Sequence, residues 1–298
     1  IIMQVFKGIY PALVTPSNPD NTVNVDVLRY LVDYLLDKGV DGFYVGGTTG
    51  EGIFMPVEQR KILATTVLSQ VDGRVPVILH VGAVSIDDAI DLAHHAQEHG
   101  VAGLSSVIPP MYRGIDAVAA YYRHLASATP DIPFLAYILN PELDARLLMT
   151  RIQHIPNLGG TKYTGSNMFE FRQIFELGGG EWTMFSGMDE QCVYAAMMGA
   201  TGAVGSTLNI MPGVYKQIHA HVSTGQHDAA QNLQLRANRV TELMIDTGFQ
   251  GALKEILSKL LEHSVGEPHL PGLPLNNQQR ESLHGALAET DFHELAAM

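Results

Sequence analysis

A lysine inside a short apolar strand can do chemistry that a surface lysine cannot. Lys162 lies in the run Leu158-Gly159-Gly160-Thr161-Lys162-Tyr163-Thr164, at the end of a predicted buried strand. Burying an unpartnered ammonium is costly, and the usual response is a shift toward the neutral amine. A neutral amine attacks a carbonyl carbon and forms a Schiff base. An ordinary lysine, with a pKa of ~10.4, offers little free amine at neutral pH. Lys7, Lys38, Lys61, Lys216, Lys254 and Lys259 fall at the chain start or in helical stretches, which makes Lys162 the exception.

Other groups are spaced so that they can join it. Gly46-Gly47-Thr48-Thr49-Gly50-Glu51-Gly52 follows an apolar run. Its glycines permit tight turning and close backbone approach, and its N–H groups and hydroxyls suit an anion, carboxylate or phosphate. No lysine follows the last glycine and the dinucleotide fingerprint is missing, so neither a Walker loop nor a Rossmann turn is indicated. Ser186-Gly187-Met188-Asp189-Glu190 sets two adjacent carboxylates after another apolar run. They could accept hydrogen bonds from several hydroxyls, or serve as the acidic first turn of a helix.

The elements that must position these residues are legible as a repeat. Short apolar runs begin near Gly8, Gly42, Val75, Gly103, Phe134, Leu158, Thr183 and Gly202, separated by stretches such as Asp26 to Lys38 and Asp87 to His99 with helical periodicity. Helices end on Lys38-Gly39, His99-Gly100 and Met198-Gly199. Eight β–α pairs without a linker predict a single (β/α)8 TIM barrel of the α/β class, with an open doubly wound sheet as the alternative. The barrel is expected over residues 1–224. A helical extension over residues 225–298 should pack on it within the same domain, with helices at Asp228 to Thr247, Gly251 to His263 and from about Asn277. Active sites of such barrels form at the C-terminal strand ends. Thr48 and Thr49 then follow the second strand, Tyr112 the fourth and Asp189-Glu190 the seventh, while Tyr137, Lys162 and Ser206 end the fifth, sixth and eighth.

Composition narrows the class. The chain has 298 residues, 46% hydrophobic, and a net charge of −13. With no basic stripe, nucleic acid is not an expected partner. An anionic small molecule remains compatible, since it answers to the local field of its pocket. A lone cysteine, Cys192, excludes an intrachain disulfide and fits a reducing compartment. No apolar run of about 18 residues predicts a membrane span, so a cytoplasmic, soluble protein is expected; Ile1-Ile2 carry no weight. His94, His95 and His99, with Glu98, read as solvent-facing, and no metal is assigned. His80 reads as a satisfied core histidine, and His219 and His221 point apart on a helix. Cys192 reads as helix packing, and Met197 and Met198 read as core.

Gly47-Thr48-Thr49-Gly50-Glu51, Tyr137 and the Gly160-x-Lys162 strand together resemble the dihydrodipicolinate synthase/N-acetylneuraminate lyase family, over nearly the whole chain. The resemblance implies a class I aldolase that binds pyruvate or a pyruvate-forming substrate covalently, with no cofactor beyond the Schiff base on Lys162. It implies that Thr48 and Thr49, with Gly47, hold the 2-oxo acid carboxylate and that Tyr137 relays protons. It further implies that Tyr112 reaches a neighbouring subunit's site, in a homotetramer. Thr164, Gly187, Asp189, Glu190 and Ser206 resemble the hydroxyl-reading residues of the sialic acid lyases, so that branch is favoured. The synthase branch carries an arginine shortly after the strand-five tyrosine, and here none precedes Arg146. The lyase pattern is altered too: Pro141 falls a residue later than in the lyases, and the stretch from Tyr137 to Lys162 is a few residues short. Another 2-keto-3-deoxy sugar acid, or dihydrodipicolinate synthesis, is therefore the alternative substrate reading. A non-catalytic sugar-acid sensor would lack the lysine or the tyrosine, and a phosphate-binding barrel would carry richer glycine loops after strands seven and eight.

Overall fold

Runs too short for helices and rich in β-branched and aromatic residues become strands here, and the amphipathic stretches between them become helices. The computed structural model describes residues 4–140 and 142–298. The strands are β1 (Gly8–Pro11), β2 (Phe43–Val45), β3 (Val77–His80), β4 (Gly103–Val107), β5 (Phe134–Leu139), β6 (Leu158–Thr164), β7 (Thr183–Ser186) and β8 (Gly202–Gly205). All pair in parallel in the order β1-β8-β7-β6-β5-β4-β3-β2, and a parallel bridge between Ala12 and Tyr44 closes the ring. This is the TIM barrel expected, and the open sheet is set aside.

Around it lie α1 (Val25–Asp37), α2 (Val57–Val71), α3 (Ile86–Glu98), α4 (Ile115–Ala128), α5 (Ala145–Ile152), α6 (Met168–Leu177), α7 (Cys192–Met197) and α8 (Pro212–Ser223). Beyond the barrel follow α9 (His227–Thr247), α10 (Phe249–Leu261), α11 (Asn277–Ala288) and α12 (Phe292–Ala297). The last of these was not separately expected. Gly39, Gly100 and Gly199 follow their helices with φ of 74°, 74° and 99°, the left-handed geometry that ends a helix without a Cβ penalty.

Two apolar layers follow from strand alternation. Inside the barrel are Phe6, Tyr10, Tyr44, Ile78, Leu135 and Phe185 among others; a larger cluster fills the space between sheet and helices. One irregularity interrupts the ladder between β5 and β6. Phe134 pairs with Leu158, but Leu135 pairs with Gly160, so β6 bulges at Gly159. Gly160 takes φ 130°, open to glycine alone among ordinary residues.

Three expectations need correction. The fifth and sixth strands do not end at Tyr137 and Lys162 but run on to Leu139 and Thr164, because no turn-forming residue intervenes before Asn140 and Gly165. Ser206 lies just past the end of β8 rather than within it. Met197 is 49% exposed, since it closes the six-residue α7 on the same outward side as Tyr194.

Candidate active site

Lys162 is 4% exposed and faces the barrel interior beside Tyr137, its ladder partner on β5. Among the described residues its ammonium has no ion-pair partner. It is flanked by two aromatic faces instead: Nζ lies 4.1 Å from the Tyr137 ring centroid and 4.5 Å from that of Tyr44. The faces of such rings are electron-rich and attract a cation, including an iminium formed at the same nitrogen. Tyr44 is fully buried, its hydroxyl bonded to Ser105 Oγ at 2.9 Å, and Ser105 Oγ donates to the Leu135 carbonyl at 2.9 Å. Burial, and to a lesser degree the nearby Tyr137, hold the Tyr44 phenol well above its ordinary pKa, so the ring stays neutral. A Cβ at Gly47 would stand 2.7 Å from a Tyr44 ring carbon, so glycine there lets the ring reach Lys162.

The turn after β2 presents its hydroxyls to the same space. Thr48 Oγ1 is 3.2 Å from Tyr137 Oη, and Thr49 Oγ1 is 2.6 Å from Ser206 Oγ. The turn is tightly made: a Cβ on Gly52 would meet the Gly46 carbonyl at 2.0 Å, and Thr15 Oγ1 donates to the Gly50 carbonyl at 2.7 Å. Behind it, His80 Nε2 accepts the Val107 N–H at 3.0 Å, and buried Arg60 donates to the His80 and Gly82 carbonyls. Burial, together with Arg60 and Lys162, depresses the His80 pKa far below the usual range and keeps the ring neutral. His80 is thus a satisfied core histidine, as its place in the strand suggested.

The opposite wall carries the acidic pair. Asp189 is buried in a short 3-10 turn; its Oδ2 accepts from the Thr207 N–H at 2.8 Å and from Thr207 Oγ1 at 2.7 Å. Among the described residues its Oδ1 is buried without a partner, as is Thr164 Oγ1. Desolvation raises the Asp189 pKa to about 6, against the lowering effect of the Thr207 bonds. A Cβ on Gly187 would fall 3.1 Å from Lys162 Cε, which brings that turn against the lysine stem. Glu190 is half-buried beside Asp189. An empty acceptor and an empty hydroxyl near one amine suit a polyhydroxylated ligand that supplies the missing partners.

Lys162, Tyr137, Thr48, Thr49, Gly47, Thr164, Gly187, Asp189 and Ser206 therefore gather at one barrel mouth, and Glu190 adjoins them next to Asp189. Tyr112 does not join them within this chain: its ring packs on Tyr121 at 5.0 Å, and it lines a cleft of about 190 Å³ between the ends of β4 and β5. Lys162 is not among that cleft's lining residues. Arg146 is exposed on α5, and the Pro141 position lies outside the described residues. Cys192 is buried, and burial pushes its thiol pKa up, away from nucleophilic use.

The histidines at the C-terminal end of α3 differ in exposure. His95 is half-buried rather than solvent-facing, bonded to Thr65 Oγ1 and near the Lys61 carbonyl, while His94 and His99 are exposed. Ligand atoms of His95, Glu98 and His99 lie within 4.8 Å of one another on the outer helix α3, at the helix end opposite the barrel mouth.

Sequence reasoning passed over Tyr44, Thr207 and the buried Lys254. Tyr44 had a signal, as the middle residue of a strand whose alternation turns it inward; Thr207 and Lys254 had none, since their partners are remote in the chain.

A model of the dihydrodipicolinate synthetase family matches residues 5–290. The N-acetylneuraminate lyase of Rhizobium meliloti (strain 1021) is 32% identical over 286 residues, covering 95% of this chain and 92% of that protein. The solved N-acetylneuraminate lyase of Proteus mirabilis is similar at a TM-score of 0.92 and 29% identity, over 97% of this chain and 100% of that one. A Ruminococcus gnavus sialic acid aldolase, solved as a catalytic lysine mutant, has a TM-score of 0.87 at 25% identity, over 96% and 98% of the two chains.

Proposed function

The chain belongs to the dihydrodipicolinate synthetase family, and from that membership we propose that it cleaves N-acetylneuraminate, or a close sugar-derived 2-oxo acid, to pyruvate and an aldehyde through a Schiff base on Lys162. It is a carbon–carbon lyase of the class I aldolase type, acting on a small molecule. One observation carries the residue assignment. Lys162 is buried without a counter-ion among the described residues, and its amine lies against Tyr137, whose hydroxyl is in hydrogen-bond range of Thr48.

Lys162 Nζ adds to the C2 carbonyl and water leaves, giving an iminium. Tyr137 Oη takes the C4 hydroxyl proton while passing its own to the adjacent carboxylate, which Thr48 and Thr49 hold. The C3–C4 bond breaks, the aldehyde departs, and the electron pair enters the iminium to give an enamine. Protonation at C3 and hydrolysis release pyruvate and restore the amine. Tyr44 supports the cationic intermediates with its ring face. Asp189 Oδ1, Glu190 and Thr164 Oγ1 receive the hydroxyls of the sugar end.

Dihydrodipicolinate synthesis is disfavoured, since the nearest arginine after Tyr137, Arg146, faces outward from α5. The reading needs no resident cofactor. It places residues 225–298 in one domain with the barrel, supported by the bond from Gln250 to the Thr49 carbonyl. A cytoplasmic homotetramer completes it, with Tyr112 at the barrel rim serving a neighbouring copy; no helix among the described residues is long and apolar enough to cross a membrane.

Borohydride reduction in the presence of pyruvate is expected to add irreversibly to Lys162, read by peptide mass mapping. Labelling elsewhere, or none, sinks the assignment. Pyruvate release from a panel of 2-oxo sugar acids addresses the substrate: release only from acids shorter than N-acetylneuraminate would overturn it. Dialysis against a chelator should leave the rate unchanged.

A further inference from the structure

Lys254 is a second buried lysine, 1% exposed, and the chemistry above does not use it. Its Nζ lies 2.8 Å from Glu51 Oε2 and 3.0 Å from the Glu267 carbonyl. Glu51 is itself 2% exposed. Its Oε1 accepts the His269 N–H at 2.8 Å, and His269 Nδ1 stands 3.2 Å from Oε2. One helical turn before Lys254, Gln250 Nε2 donates to the Thr49 carbonyl at 2.8 Å. The spacing of four residues sets Gln250 and Lys254 on one face of α10.

Both side chains grip the turn that carries Thr48 and Thr49. Glu51 sits at φ 59°, and its N–H donates to the Thr48 carbonyl at 3.0 Å, so the position of Glu51 closes that turn. A buried ion pair adds little to stability, because desolvation offsets the attraction, and apolar residues would cover the barrel equally well. What such a pair supplies here is a fixed distance between α10 and the turn.

We infer that Glu51, Lys254 and Gln250 are positioning residues through which α10 sets the aim of the Thr48 and Thr49 hydroxyls at the substrate carboxylate. The helices that follow the barrel are then part of the catalytic apparatus. The inference rests on the Schiff-base reading and extends it from the barrel to the C-terminal layer. A carboxylate is held in ground and transition states alike, so loosening its cradle raises KM and leaves kcat nearly unchanged.

Borohydride trapping against pyruvate concentration, steady-state cleavage kinetics and thermal melting, all on the full chain, test it. Wild-type labelling at Lys162 comes first; its failure removes the Schiff-base reading and this inference together, whereas the outcomes below concern the inference alone. Gln250→Ala deletes one hydrogen bond at a half-buried position and should raise the half-saturating pyruvate concentration and KM about tenfold. Its kcat should stay within about twofold of wild type. The double variant Glu51→Gln/Lys254→Met removes both charges at once, leaves no lone buried ion, and should show the same split. An unchanged KM in folded Gln250→Ala, or a fall in kcat that tracks the melting temperature, overturns the inference. If the double variant does not fold, Gln250→Ala decides alone.

Discussion

Two buried lysines in one chain show that burial by itself does not make a nucleophile. Lys254 lies 2.8 Å from the Glu51 carboxylate, whereas Lys162 has no ion-pair partner among the described residues and lies against two aromatic faces. Asp189 poses the same question with the opposite sign. Burial raises its pKa to about 6, above the unfolded carboxylate range, so its ionised form costs the fold about 3 kcal/mol at neutral pH. That cost is relieved as pH falls through 6 toward 4. The ionised form is the one that accepts hydroxyls at the unpartnered Oδ1. KM for the sugar acid is therefore expected to rise as pH falls below about 6, while the half-saturating pyruvate concentration in borohydride trapping does not follow that limb. Asp189→Asn keeps an acceptor for Thr207, so it should fold at least as well as wild type. It should bind the sugar acid about tenfold more weakly at neutral pH, as expected for loss of a charged hydrogen bond, without the pH dependence. A pH-independent wild-type KM would remove Asp189 from substrate binding.

At the scale of the element, the bulge in β6 decides which way Lys162 points. Side chains alternate along a strand, so a one-residue slip carries every one of them to the other face. Leu158 pairs with Phe134, both outside the barrel; past the bulge, Gly160, Lys162 and Thr164 pair with the inward Leu135, Tyr137 and Leu139. Were Gly159 paired in the ladder and the alternation from Leu158 regular, Lys162 would face the helices. Both neighbouring glycines look alike in sequence, yet they differ in tolerance. A Cβ on Gly160 would stand 2.0 Å from the Thr183 carbonyl at φ 130°, whereas one on Gly159 meets its nearest neighbour, Pro133 Cβ, at 3.2 Å. Gly160→Ala should therefore cost about 3 kcal/mol or more and lower kcat, because Lys162 is displaced. Gly159→Ala should cost about 1 kcal/mol or less, with kcat retained. Denaturant unfolding of the two variants checks this; equal losses would show that the bulge is not what sets the register.

For the whole molecule, acid is the informative stress. His80 and His219 are held neutral by burial, His219 at a pKa of about 4 with Asp41 pulling weakly upward. Histidines with folded pKa values below their unfolded ~6.5 contribute stability above that pH and lose it as pH falls toward the folded value. Asp189 works in the other direction between about 6 and 4. The melting temperature is expected to fall between pH 7 and pH 5, more steeply in Asp189→Asn and less steeply in His219→Leu. A flat profile in Asp189→Asn, where the opposing carboxylate is gone, would show that these rings are hydrated in solution. Sequence alone determined the barrel, because eight short apolar runs alternating with helical stretches have few other ways to bury their apolar faces. It also brought most of the expected residues to one end, since parallel strands bring their C-terminal ends to one side, although Tyr112 packs apart from them on Tyr121. What only the tertiary structure decided depends on contacts between distant segments. Tyr44 lies against the amine, Thr207 holds Asp189, Lys254 meets Glu51, and the bulge at Gly159 turns Lys162 inward. Strand alternation turns Tyr44 inward but does not name its partner, and the other three are neither a periodicity, a cap nor a spacing, so local pattern carries no trace of those contacts.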